Sequence, residues 1–154
     1  CLLLTFSAPL TAHADETKQN PQDVLYAISF YADWCVSCKT LDPKMMKARG
    51  IADFDNQNIL FVTLDLTNAT TRHQASLMAD VLGISEFYEE NNGTTGFVLL
   101  YNPQSNELLG TLTRNLDSGV IIETFQEKLK SLYPYRFEGY AHASYFSSSS
   151  SRNV

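Results

Sequence analysis

Apolar residues fall along this chain in blocks whose spacing alternates between continuous and helical, with turn formers between the blocks. Val24 to Ala32 (VLYAISFYA) is an almost unbroken apolar and aromatic run, the pattern of a strand covered on both faces. From Cys35 to about Arg49, apolar Val36, Leu41, Met45 and Ala48 follow a helical pattern that Gly50 is expected to close. Pro43 lies inside that segment and lacks a backbone donor, so a kink is expected there. Ile59 to Leu66 (ILFVTLDL) reads as a second buried strand. Thr71-Arg72-His73-Gln74 has the form of a capping box, opening a helix that turns Ala75, Met78, Val81 and Leu82 inward and stops at Gly83. Phe97 to Tyr101 and Glu107 to Leu112 are two short strands, and the Asn102-Pro103-Gln104-Ser105-Asn106 loop between them predicts an antiparallel hairpin. Asp117 is placed to cap a last amphipathic helix through Ile121, Ile122, Phe125, Leu129 and Leu132, ending before Pro134.

The order β-α-β-α-β-β-α predicts an α/β fold with a central mixed sheet flanked by helices on both faces. A length of 154 residues suits one domain able to bury its core without disulfide staples. We place it at residues 15–133. Residues 134–154 change character: Tyr135, Phe137, Tyr140, Tyr145 and Phe146 alternate with small and polar residues and give way to Ser147 to Ser151. This is the composition of a partly disordered tail, with aromatics free to pack on the body or on a partner.

Composition narrows the class. With 44% hydrophobic and 18% charged residues the chain is globular, and its net charge of −6 argues against nucleic acid or anionic lipid as the main partner. No segment approaches the roughly 20 apolar residues that span a bilayer. Cys1 to Leu10 is nearly all apolar, and Thr11-Ala12-His13-Ala14 supplies small residues at the spacing a signal peptidase reads. Residues 1–14 are therefore expected to be the remnant of a secretory signal, with the mature chain starting at Asp15. Two alternatives stand beside it: Cys1 as the acylated first residue of a lipoprotein, and a buried N-terminal strand.

If the signal is removed, Cys35 and Cys38 are the cysteines that remain. They lie directly after an apolar strand pattern and at the start of a helical one. A helix start carries unpaired N–H groups and a partial positive charge, which favour a thiolate there. A second thiol one turn away can resolve the mixed disulfide the first one forms. A structural bridge is the plain alternative, yet so small a loop restrains little of the unfolded chain.

The string Tyr31-Ala32-Asp33-Trp34-Cys35-Val36-Ser37-Cys38-Lys39, with Pro43 five residues after Cys38, resembles the thioredoxin superfamily over about residues 22–133. Zinc ribbons and haem attachment sites share a bare CxxC, but no second CxxC and no His after Cys38 are present. Within the superfamily YADWCVSCK is most similar to the periplasmic C-terminal domain of DsbD-type thiol:disulfide interchange proteins. The resemblance implies a thioredoxin-like three-layer fold, Cys35 as exposed nucleophile, Cys38 as buried resolving thiol and Trp34 as a shield beside them. It implies no dissolved cofactor and no metal: the redox group is the Cys35–Cys38 disulfide itself. Val36 and Ser37 between the thiols help set the potential, and Lys39 adds a nearby positive charge. They lack the Pro-His pair of strongly oxidising relatives, which points to a reductant.

Three departures accompany the match. The acid that often sits six residues before the first cysteine is Ser29 here, and its usual lysine partner maps to Thr63. Losing both is self-consistent, because either charge alone would be costly to bury. The proline that family members place opposite the thiols in a cis bond is replaced by Thr94-Thr95-Gly96. A cis bond without proline costs about 3 kcal/mol, so Thr95–Gly96 is expected to be trans or strained, with the thiols more open to metal. Ser85 to Gly93 (SEFYEENNG), with Glu86, Glu89 and Glu90, reads as an insertion, either a specificity loop or a solvated excursion.

The remaining candidates have plain explanations. His73 suits a solvated helix face, and His13 and His142 are too scattered to form a metal set with it. Met45 and Met46 read as core filler before copper ligands. Asn68-Ala69-Thr70 and Asn92-Gly93-Thr94 match glycosylation acceptors of a kind frequent by chance. Asp33 is a candidate for electrostatic tuning, or simply exposed. The expected function is an exported, bacterial periplasmic thiol–disulfide oxidoreductase acting on disulfide-bearing proteins, recycled by a second thiol–disulfide partner such as a membrane electron carrier. A non-catalytic redox-switch or binding module and metal handling through the two cysteines are the alternatives.

Overall fold

In the computed structural model, four strands form one mixed sheet in the order β2-β1-β3-β4: β1 (Leu25–Tyr31), β2 (Ile59–Asp65), β3 (Phe97–Asn102) and β4 (Glu107–Thr113). The structure describes residues 24–134. The expectations for residues 1–14, for Cys1, His13 and His142, and for the tail beyond Pro134 lie outside them. β1 and β2 run parallel, as a strand–helix–strand unit requires, while β3 is antiparallel to both β1 and β4. The predicted hairpin over residues 102–106 is therefore present.

Helices cover both faces, giving the three-layer α/β arrangement expected from the element order. On one side lie α1 (Val36–Ala52) and α4 (Ser118–Leu132), and on the other α2 (Ala69–Leu82) and α3 (Ser85–Glu90). Strand alternation divides the core. Leu25 and Ala27 of β1 join Leu41, Met45, Ala48, Ile121 and Phe125 on the α1–α4 side, whereas Ile28 and Phe30 join Leu64, Ala75 and Tyr88 on the other. Asp117 caps α4 through its side chain on the Val120 N–H, as the sequence indicates. Lys44 of α1 donates to the carbonyls of Arg114 and Leu116 at 2.6 and 2.8 Å, tying α1 to the segment that leads into α4.

Several expectations need correction. Helix α1 runs past Gly50 to Ala52 and is closed by Asp53 in the left-handed region (φ 50°). Val36 points outward at 70% exposed, and Met46 is exposed as well, because Cys38 rather than Val36 begins the buried stripe of Leu41, Met45 and Ala48. Among the described residues β2 lies at the edge of the sheet with Leu60 and Thr63 exposed, not as a strand covered on both faces. The α2 capping box is Asn68 with Thr71, and the inward residues are Ala75 and Ala79 with Leu82 packed against the same core, leaving Met78 exposed and Val81 84% exposed. Small alanines let this helix sit close to the sheet, which rotates the larger side chains outward. Gly83 (φ 70°) does end it. Residues 85–90 form α3, not a loose excursion: Tyr88 is buried and its hydroxyl donates to the Arg72 carbonyl at 3.0 Å, while Glu86, Glu89 and Glu90 face outward.

Candidate functional site

The two thiols lie where β1 ends and α1 begins. After Tyr31 the chain turns through Ala32, Asp33 and Trp34, and the Cys35 N–H donates back to the Ala32 carbonyl at 3.1 Å. Cys35 is the N-cap residue of α1, with extended backbone (φ −79°, ψ 112°), and its sulfur accepts the Cys38 N–H at 3.1 Å. The CxxC spacing is thus the spacing of a helix cap, in which the side chain reaches the N–H three residues on. Cys38 points inward at 2% exposed, its sulfur 3.8 Å from the Phe30 carbonyl oxygen. Cys35 is more covered than an exposed nucleophile would be, at 6%.

The surroundings push the two thiols apart in acidity. Burial alone would raise Cys35, but hydrogen bonds from the Cys38 thiol, the Thr95 hydroxyl and the backbone N–H groups of Cys38 and Ser37 outweigh it, so Cys35 falls below the ordinary thiol value. Cys38 is pushed up to about 11, by burial first, then by donating to Cys35 and by the charges of Cys35 and Asp42. Lys39 is exposed, and the influences that lower Cys35 are these hydrogen bonds.

Gly96 closes the site from the β3 side. Its N–H donates at 2.8 Å to the Phe30 carbonyl that also faces the Cys38 sulfur, and its φ is +92°. A Cβ added there would stand 2.4 Å from the Ser37 Cβ and 3.2 Å from the Cys35 sulfur. Glycine is needed twice over, for the backbone angle and for the close approach. The Thr95–Gly96 bond is trans, as expected. The segment packs against the thiols instead of opening them, and among the described residues no group of three or more His, Cys, Asp or Glu could hold a metal ion.

On the other flank Trp34 is 52% exposed, and its indole N–H donates to the Thr67 carbonyl at 3.1 Å. The Thr67 hydroxyl accepts the Asp33 N–H at 3.0 Å, and the Thr67 N–H donates to Asp65 at 2.8 Å. Thr67 is thus the residue that fixes the Trp34 loop. A cavity of about 270 Å³ lies between α1 and the sheet, with Ser29, Tyr31, Asp42 and Thr63 on its border and neither thiol.

A thioredoxin family model matches residues 8–97, more than half of the chain. The chain belongs to the thioredoxin family. Its sheet order, its flanking helices and the site at the β1–α1 junction make up the thioredoxin fold, and thiol–disulfide redox chemistry is the function that family membership suggests. Among solved structures it is similar to the first two thioredoxin domains of Saccharomyces cerevisiae Eps1p, at 22% identity and a TM-score of 0.40, covering 82% of this chain and 42% of that one. No curated protein matches it.

Within this thioredoxin domain, Cys35, Cys38, Trp34, Val36, Ser37, Thr95 and Gly96 come together around the helix start, while Lys39 faces solvent. Ser29 and Thr63 are register partners on β1 and β2, so the two positions that lack charge do face each other. His73 is exposed on α2 and takes no part. Sequence reasoning passed over Tyr31, Asp42 and Thr67. Asp42 had a signal available, since four residues after Cys38 on a helix is the same face.

Proposed function

We propose that this chain is an exported reductase of protein disulfides, working in the manner of the periplasmic C-terminal domain of DsbD-type interchange proteins. The observation that carries the reading is the asymmetry of the pair: Cys35 is stabilised as thiolate at the start of α1 while Cys38, on the same turn, is pushed up to about 11. The Cys35 thiolate attacks one sulfur of a partner disulfide, the partner's other sulfur leaves, and a mixed disulfide forms. Cys38 then attacks Cys35, the partner's remaining sulfur leaves, and the Cys35–Cys38 disulfide closes. The partner has gained two electrons, and this domain must be reduced again by another thiol–disulfide carrier, for which a membrane electron carrier is suited. Val36-Ser37 in place of Pro-His supports the reducing direction, and the net charge of −6 supports a protein partner over nucleic acid.

Reduction of insulin by the purified protein, with Cys35→Ser as control, tests the reading. Turnover is expected from the parent chain alone; activity that survives the substitution ends the proposal. The reduction potential of the pair then fixes direction, a value near −270 mV or below supporting a reductase and one near −120 mV reversing the role.

A second reading, a non-catalytic redox switch, draws on the 6% exposure of Cys35. It predicts that Cys35 reacts with small disulfides but not with insulin.

A further inference from the structure

The segment that leads into Thr95 and Gly96 carries a reactive amide of its own. Helix α3 ends at Glu90, and residues 91–94 form a turn closed by the Thr94 N–H on the Asn91 carbonyl at 2.9 Å. Asn92 and Gly93 occupy its central positions, and both are exposed. Gly93 has a φ of +88°, and a Cβ built there would meet nothing within 4 Å. The angle needs glycine, and the open space leaves the peptide free to rotate.

Asparagine followed by glycine is the pair in which a side-chain amide is most readily attacked by the next backbone nitrogen, because no side chain hinders the approach. In this chain the pair occurs at 92–93 and nowhere else. The other asparagines of the described residues are guarded. Asn58 is buried, Asn56 donates to Asp53, and Asn68 accepts two N–H groups at the start of α2. Asn91 donates to the Phe87 carbonyl, Asn106 accepts from Tyr101, and Asn102 precedes a proline, which has no N–H. The N–H that follows Asn115 is held by the Thr113 carbonyl. By contrast, the Asn92 side chain and the Gly93 N–H bond to no described residue.

We propose that Asn92 is a self-modification site whose conversion to an acid lowers the reactivity of Cys35. The Gly93 nitrogen bonds to the side-chain carbonyl carbon of Asn92. Its proton and the amide NH2 leave together as ammonia, and a cyclic imide closes. Water then opens the imide at either carbonyl, leaving aspartate or isoaspartate, the latter with an extra methylene in the backbone. No electrons are gained or lost. Each product carries a negative charge that asparagine lacks. No Lys, Arg or His lies between Ser85 and Gly96 to neutralise it, and Glu89 and Glu90 already face outward beside it. Three residues on, the Thr95 hydroxyl hydrogen-bonds the Cys35 sulfur, and a Cβ at Gly96 would stand 3.2 Å from that sulfur. A new negative charge on this segment disfavours the thiolate, and a lengthened backbone draws the Thr95 hydroxyl away from it. The inference goes beyond the dithiol cycle and needs only a nucleophilic Cys35.

The full chain is held in mildly alkaline buffer for days, reduced again, and sampled by peptide mass mapping and by iodoacetamide alkylation of Cys35 at neutral pH. The expected result is the mass gain of an amide becoming an acid, confined to the Asn92 peptide and split between aspartate and isoaspartate. Converted chains should alkylate at least about twofold more slowly, and fresh Asn92→Asp should reproduce the part due to charge. Asn92→Gln should neither convert nor slow. An unchanged Asn92 peptide, or conversion spread evenly over the other asparagines, overturns the site. Alkylation of the converted chains and of Asn92→Asp at the parent rate overturns the link to Cys35. Failure of fresh protein to reduce insulin removes the dithiol cycle and leaves this inference standing.

Discussion

On the α2–α3 side of the sheet, Ile28 and Phe30 of β1 meet Leu64, Ala75, Ala79, Ile84 and Tyr88 in continuous apolar packing. The opposite side of the same strand is divided along its length. Leu25 and Ala27 belong to a core in which the rings of Phe54 and Phe125 stand 4.9 Å apart, but from Ala27 onward this face borders a cavity beneath α1 through Ser29 and Tyr31, and Tyr31 packs beside the two cysteines. Period-two alternation along seven residues thus gives one strand a structural face and a face that turns from packing to chemistry. The lesson is that the chemical end is held by hydrogen bonds and close backbone approach, and the packed end by buried area.

The largest expected effect tests that separation directly. Phe125→Ala should cost about 3–5 kcal/mol of stability in denaturant unfolding, with the pH profile of Cys35 alkylation in the folded protein unchanged. A shifted profile would mean the two ends of this face are coupled. Gly96→Ala attacks the other end. The φ of +92° and the overlap with Ser37 should destabilise the fold by about 1–3 kcal/mol, and here alkylation of Cys35 should change.

A pH series sharpens the contrast further. The folded state holds the Cys38 proton up to about 11, above the roughly 8.5 of an unperturbed thiol. Between those values the folded state binds more protons than the unfolded one, so the stability Cys38 contributes is present below the ordinary thiol range and is lost as pH rises towards 11. Cys38→Ser should remove that decline in the reduced protein. The smallest effect belongs to Thr95→Ala, which takes one donor from the Cys35 sulfur. Its alkylation midpoint should move upward, with unfolding barely altered.

The element order and the central sheet were legible because β1, β3 and α4 carry patterns that neighbours reinforce: continuous apolar runs for the strands, and Asp117 followed by a regular stripe for the helix. Strand β2 was misread because an apolar run does not reveal how many strands will lie beside it, and among the described residues β2 pairs with β1 alone. In α2 the large residues Met78 and Val81 drew the reading inward, although close packing on a sheet selects the alanines. The glutamates and Gly93 around α3 looked like a loop, since a six-residue helix anchored mainly by Tyr88 leaves little periodicity to detect. At the site, Cys35, Cys38 and the glycine at residue 96 were visible from spacing and position. Asp42 was not singled out, because one acid on a helix reads as a solvated face until its neighbours across the sheet are known.

That the Cys35 sulfur caps α1 has a consequence for the state of the chain as a whole. A negatively charged sulfur is a stronger acceptor for the Cys38 amide than one bonded to another sulfur. Oxidation state and local helix stability are therefore linked quantities: whatever favours the thiolate tightens the first turn, and whatever loosens that turn makes the reduced form less favourable. The helix start doubles as a gauge of how many electrons the protein is holding.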